Sequence, residues 1–350
     1  MKRYHCLVIV FIIFLIFPVG ARSAASKPVT VAELALYQGT DRQQLLEEGA
    51  KKEGKLTLYT MGILTQGVQL TVDAFEQRYP FIKVEIWRAS TQDIIARVNE
   101  EFRMGKSFAD VIEGNDMSDA VFIKAGLLQS YQSPALASIE ESAITPSPGG
   151  GSFSTGFRGS NVSLGYNTKL LSKEQIPKTY EDLLDPKWKG KIALGSVTGP
   201  NWLGVILDTL GENFAARLAK QNFAVHTVSG MAVLNMVSNG EYALSTTIYD
   251  SHVLESKKKG APVEWFPMEP VYANLGKISL PKQAVHPHAA LLLMDFYLSK
   301  ESAKIHKNAG YSSTRLDEVG RASYKRFYGP KTLEDAKRWN DTFNKLFLKK

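Results

Sequence analysis

The chain has one cysteine, Cys6, in 350 residues. A single thiol excludes an internal disulfide and any zinc site built on several thiolates. Long apolar runs are equally scarce. The longest, the twelve residues Cys6–Phe17, falls short of the roughly 20 that a membrane-spanning helix needs. A dominant charge is missing too. Lys and Arg number 42 and Asp and Glu 35, giving a diffuse +7 with no basic stripe interleaved with aromatics, so nucleic-acid binding is not favoured. No Gly-x-Ser-x-Gly elbow, His-Glu-x-x-His, P-loop or Gly-x-Gly-x-x-Gly occurs. No catalytic residue and no cofactor is therefore expected.

What is present is ordinary globular composition, 44% apolar and 22% charged, which excludes a disordered or collagen-like chain. The length suggests about two to three domains. The N-terminus is the exception. Lys2 and Arg3 precede the apolar run, and Pro18, Gly20, Ser23, Ala24 and Ala25 follow it. That order is a secretory signal peptide, residues 1–25, with cleavage expected after Ala25. Cys6 precedes the apolar core and cannot anchor a lipid at the cleavage point. Removing Lys2, Arg3 and Arg22 leaves 39 − 35 = +4. The mature protein is expected in the periplasm.

Beyond residue 54 the periodicity alternates. Lys55 to Thr60 reads as a strand with Leu56 and Leu58 on one face, and Val68, Val72, Phe75 and Tyr79 mark a helix ended by Pro80. Val84–Trp87, a helix through Ile94, Val98 and Phe102, and Ala109–Ile112 continue the series. Strand, helix, strand, helix, strand in about 70 residues argues for parallel βαβ units. Residues 143–160 are dense in Gly, Pro and Ser and read as a linker or lid. The alternation resumes with Val162–Tyr166, Lys191–Leu194, a helix from Trp202, a helix at Val233–Val237 and a strand at Ala243–Ile248. A break at Pro262–Pro270 precedes a strand at Lys277–Leu280 and an apolar helix at Ala289–Tyr297. A last helix at 333–347 carries Ala336, Trp339, Phe343 and Phe347 on one side. Two α/β lobes of comparable size fit this pattern: residues 26–150 with 271–350, and 151–270.

In open parallel sheets, ligands sit beyond the carboxyl ends of the strands. Three such loops are rich in small polar residues: 60–67 (Thr60, Gly62, Thr65), 113–118 (Asn115, Asp116) and 195–201 (Ser196, Thr198, Asn201). Helix starts with free N–H groups suit an anion, although capping alone also selects Ser, Thr and Asn. Three equivalent loops split between two lobes point to a shared cleft.

Several stretches carry a resemblance that extends over nearly the whole mature chain. They are Ala74-Phe75-Glu76-Gln77-Arg78-Tyr79-Pro80, Ala125-Gly126-Leu127-Leu128-Gln129, Gly165-Tyr166-Asn167-Thr168-Lys169-Leu170 and, most specifically, Asp182-Leu183-Leu184-Asp185-Pro186-Lys187-Trp188-Lys189-Gly190-Lys191. His286-Pro287-His288-Ala289-Ala290 follows late in the chain. The sequence resembles the substrate-binding proteins of bacterial ABC importers, in the class of ferric-iron, thiamine, polyamine and phosphonate binders. The resemblance implies an α/β fold of the two-lobe periplasmic-binding-protein type II. The lobes would be joined by crossing segments near 140–162 and 262–276 and would close on the ligand. It also implies a monomer that delivers a small molecule to an ABC importer permease, with the ATPase subunits as partners through that permease.

The ligand has two readings. Ferric iron wants hard oxygen donors, and ferric binders of this family usually carry adjacent tyrosines in the loop that here reads Ser245–His252. This chain has only Tyr249 there; Tyr249, Asp250 and His252, with Tyr272 or Asp116, make the alternative metal set. The preferred reading is a small organic or phosphorus-containing anion held by the three loops. Arg158 or Arg88 would clamp its charge, and Tyr249, Tyr272, Trp202 and Trp265 would wall it. His286 and His288 flank a helix-starting Pro287 and read as structural. A secreted hydrolase is the alternative of another class; turnover against one-to-one binding separates the two.

Overall fold

The computed structural model describes residues 28–318 and 323–348, so the export segment expected at 1–25 lies outside the described residues. Helices α1 (Val31–Leu36) and α2 (Arg42–Glu53) precede the first strand. Then β1 (Lys55–Thr60), α3 (Val68–Arg78), β2 (Lys83–Arg88), α4 (Thr91–Arg103), β3 (Val111–Gly114) and α5 (Asp116–Lys124) alternate. β1 pairs in parallel with both β2 and β3, as helical crossovers require. The two-residue period of β1 sends Leu56 and Leu58 into one core with Val72 and Phe75. It sends Tyr59 to the other face, with Ile94, Val98 and Phe122.

Short strands β4 (Leu128–Gln129) and β5 (Ile144–Pro146) lead into β6 (Ser152–Asn167). A second alternation follows: β7 (Ile192–Gly195), α6 (Gly199–Leu210), α7 (Glu212–Ala219), β8 (Ala224–His226), α8 (Gly230–Asn239), β9 (Leu244–Tyr249) and α9 (Asp250–Lys258). Here too β7 is parallel to β8 and β9. The chain continues through β10 (Val263–Phe266), β11 (Val271–Pro281), α10 (Pro287–Tyr297), α11 (Lys300–Asn308) and β12 (Ser312–Ser313). Last come β13 (Arg326–Phe327) and α12 (Leu333–Phe343).

One sheet joins the two halves in the order β2-β1-β3-β11-β6-β9-β7-β8. Its middle strands, β11 and β6, run antiparallel to each other over eight register pairs. The second half of the segment read from composition as a linker belongs to this central strand, which is 16 residues long and buried almost throughout. The small residues have a packing cause. A Cβ on Gly156 would meet Leu275 at 2.9 Å, one on Gly159 would meet Ser312 at 2.8 Å, and one on Gly165 would meet Ile248 at 2.7 Å. Glycine in a strand here marks close approach of neighbouring elements. β6 pairs with β5 and β12 through its first half and with β9 and β10 through its second. It is thus common to both halves.

The last helix departs from the division that placed all of 271–350 with the first lobe. Trp339, Phe343 and Phe347 belong to the same apolar cluster as Trp202, Leu203 and Phe223. The fit is made by Gly204 of α6, where an added Cβ would lie 1.9 Å from the Trp339 indole. The apolar stripe of α12 is satisfied only on the second half, and β13, paired with the start of β11, carries the chain there.

Candidate functional site

The strand ends of the second half gather one set of polar side chains. Thr198 closes the loop after β7, and α6 starts behind it with Pro200 in its first turn and no side-chain cap. The Thr198 hydroxyl lies 3.3 Å from the Tyr249 hydroxyl at the end of β9. Asn201, on the first turn of α6, donates to the Tyr272 hydroxyl at 3.2 Å. That hydroxyl lies 3.5 Å from the Asn274 side-chain oxygen. Val162, Val205 and Phe327 form the apolar backing behind Tyr249 and Tyr272. Burial raises the pKa of both phenols. At Tyr272 the charges of Tyr249 and Asp116 push in the same direction, so it stays protonated. The strand-to-helix loop has a single tyrosine in sequence, and β11 places a second, Tyr272, across Val162 of β6 from it.

Asp250 opens α9 and is held by β6. It accepts from the Asn161 backbone at 3.0 Å and from the Asn161 amide at 2.5 Å. Burial pushes its pKa up to about 6, against the opposing pull of these hydrogen bonds. His252 packs on Tyr249 with ring centroids 4.9 Å apart. Burial lowers its pKa, and its Nδ1 has no hydrogen-bond partner among the described residues. It is half-buried rather than solvated.

The first half holds a different arrangement. Arg158 on β6 donates to Glu113 of β3 at 2.7 Å, and the other Glu113 oxygen accepts from Thr60. The Gly62 amide donates to the Thr60 hydroxyl at 2.8 Å, and a Cβ on Gly62 would lie 2.9 Å from the Glu113 carboxylate. Burial pulls the Arg158 pKa down most strongly, but the charge and hydrogen bond of Glu113, together with Tyr311 and Tyr297, outweigh it and raise it. Arg158 therefore already has its anion, and the open charge clamp read from the sequence is an internal ion pair. Asp116 receives Lys277 at 3.1 Å and the Gly329 amide at 3.0 Å, while Asp119 lies 3.3 Å from the same lysine. Asn115 is a helix cap, accepting from the Ser118 amide at 3.1 Å.

The structure thus brings together Thr198, Asn201, Tyr249 and Tyr272 in one set and Thr60, Gly62 and Arg158 in another. The charge of Asp116 is felt at Tyr272 of the first set. Thr65 is exposed in the turn after β1, and Ser196 is half-buried in the loop before α6. Arg88 is exposed, 3.5 Å from the Gly62 carbonyl. Trp202 lies in the core at 1% exposure, and Trp265 donates to the Ile248 carbonyl at 3.1 Å. His286 and His288 bind Asp110 and Glu53, at 2.8 and 2.6 Å. Sequence reasoning missed Glu113, Lys277, Asn161 and Asn274. The first two had a signal, a charge inside an apolar strand, which burial obliges to pair.

The model of the bacterial extracellular solute-binding proteins matches residues 106–326. The chain belongs to this family. It is 27% identical over 277 residues to an uncharacterized protein of Haemophilus influenzae, covering 75% of this chain and 78% of that one. Iron-bound HitA from Pseudomonas aeruginosa is similar in structure, with a TM-score of 0.68 and 20% identity over 83% of this chain and 99% of its own. AfuA from Actinobacillus pleuropneumoniae, solved with fructose-6-phosphate, gives 0.67 and 24% over 85% and 99%. Likeness at these identities shows the two-lobe binding-protein fold. It is thus an extracellular solute-binding protein by family, and no helix of its described residues is long and apolar enough to cross a membrane. The hydrolase alternative finds no support in the family or the structural neighbours.

Proposed function

We propose that the protein is exported, cleaved after Ala25, and captures a small organic or phosphorus-containing anion for an ABC permease in the periplasm. The observation that carries this reading is the convergence of Thr198, Asn201, Tyr249 and Tyr272 on the uncapped start of α6. Hydroxyls and amides beside free helix N–H groups complement an anion without a dedicated cation. This suits a site whose buried cations already have partners: Arg158 with Glu113, Lys277 with Asp116 and Arg326 with Glu140. The AfuA structure, which holds fructose-6-phosphate, lends support to a phosphorylated ligand.

Ferric iron is the second reading, favoured by the approach of Tyr272 to Tyr249 and by the iron in HitA. Against it, the loop after β9 carries Tyr249 with no tyrosine next to it in sequence, where ferric binders of the family usually carry adjacent tyrosines. Native mass spectrometry with metal analysis, on protein isolated without refolding, separates the readings. One small anion and no iron is expected. Stoichiometric iron with a visible tyrosinate band would overturn the anion reading.

A further inference from the structure

A cavity of about 990 Å³ lies on the outer side of the first half, away from the residues just described. It exists because α4 covers only part of one sheet face. Thr57 and Tyr59 share that face with Glu85 and Trp87, their register partners on β2. Ile94 and Val98 of α4 pack over the Tyr59 end. The Thr57 end stays open, bounded by the loop 105–108 and by Val285 and His286. The volume is that of a pocket for a drug-sized molecule, about 300–1,000 Å³.

Its chemistry has two parts. The wall is aromatic: Tyr59 and Trp87 have centroids 4.6 Å apart, and the Arg97 guanidinium lies 4.3 Å from the Trp87 ring and 5.0 Å from Tyr59. Phe108 and Val285 of the lining are each more than half exposed. Single exposed apolar residues need no explanation, but two on the rim of one cavity extend its apolar wall to the surface. The lining carries the cations Lys55, Arg97 and Lys106 against the acids Glu85 and Asp110, an excess of one cation. Asp110 is saturated by the amides of Thr57, Val285 and His286 and by the His286 ring. Glu101 is taken by Tyr59, Arg97 and the Phe108 amide. Lys55 faces Glu85 at 3.4 Å in solvent. Lys106 has no acidic partner among the described residues, and the Arg97 side chain is 41% exposed despite its bond to Glu101.

We propose that this cavity is a second binding site, separate from the inter-lobe cleft, for an aromatic anion. Its ring would lie between Phe108 and the Arg97–Trp87 stack, and its acidic group would meet Arg97 and Lys106. A guanidinium with one face on an aromatic ring presents its other face and edge to such a ligand.

The probe is 8-anilinonaphthalene-1-sulfonate, an aromatic sulfonate, titrated into the whole mature protein by fluorescence. Saturable binding of one equivalent at this site is expected, with energy transfer from Trp87 that Trp87→Phe reduces while the other four tryptophans remain. The double change Lys106→Glu with Phe108→Ala alters two exposed side chains and leaves the core intact. It should weaken binding by about tenfold or more. Thr198→Ala, in the cleft, should leave probe affinity unchanged, which keeps this site's test apart from that of the transport ligand. Absence of saturable binding, equal affinity in the double variant, or loss of probe binding in Thr198→Ala each overturns the proposal.

Discussion

Tyr249 and Thr198 share one hydrogen bond, yet they separate the two ligand chemistries. If the ligand is an anion, Tyr249→Phe removes a neutral hydrogen bond of about 0.5–1.5 kcal/mol, and affinity falls roughly tenfold or less. Thr198→Ala then removes a bond to a charged group, about 1.5–3 kcal/mol, and costs more. Under iron the order reverses, because only the phenolate is a ligand. Calorimetry with the identified ligand on both variants reads the order directly. Asp250 makes a pH prediction. Its pKa stands at about 6 against an ordinary 3.8, so the folded state keeps a proton that the unfolded state has lost. Its contribution is fully present below about pH 4 and is lost as pH rises towards 6, by up to ~1.4 kcal/mol per pH unit. Asp250→Asn should abolish this slope. The orphaned Asn161 side-chain oxygen can then accept from the new amide if Asn161 rotates. Urea unfolding of both proteins between pH 4 and 7 gives parallel curves if Asp250 does not titrate in that window.

At the scale of elements, β6 is held to β3 by a buried pair. Arg158 and Glu113 are 7% and 0% exposed. Arg158→Met leaves a carboxylate buried with only Thr60 as donor, and should destabilise the protein by roughly 3–5 kcal/mol. Adding Glu113→Gln should recover much of that loss. If the double variant is no more stable than the single one in denaturant melts, the pair is not the reason. The contact of α6 with α12 is tighter still. Gly204→Ala forces a methyl into Trp339 and should cost about 1–3 kcal/mol as overpacking, read as a lower denaturation midpoint. How legible these elements were depended on their residues. Leu56, Leu58, Val72 and Phe75 announce a strand and a helix by period alone. The first part of β6, SFSTGFRGS, offers no such period, because close approach by Leu275 and Ser312 selects small residues where the strand is crowded, whereas Val162–Tyr166 is legible as a strand. Low apolar content there reflects crowding, and composition alone reads it as a linker.

The whole molecule has one sheet and two sets of cores, with β6 and β11 shared between them. A ligand that touches both halves favours the closed state by the difference in its affinity for the two states. Small-angle scattering should therefore show a smaller radius of gyration at saturation with the transport ligand. An unchanged profile would count against hinge closure. N-terminal sequencing of a periplasmic extract should begin near Ser26; a chain retaining Cys6 in the membrane fraction contradicts the export reading.

The sequence by itself determined the alternation of strands and helices, the two-lobe class and the family, because hydrophobic periodicity and short structural motifs are local properties. It also marked the loops at the ends of β7 and β9, where Thr198, Asn201 and Tyr249 lie. Only the tertiary structure decided which partner each polar residue takes. Tyr272 lies 23 positions from Tyr249 in the chain and becomes its neighbour through β11. Arg158 looks like an open clamp until Glu113, 45 residues away, is placed against it. Asp116 looks like a ligand until Lys277 arrives from β11. Pairing of buried charges is long-range in sequence and short-range in space, since the low dielectric of the interior demands a partner wherever the fold can supply one.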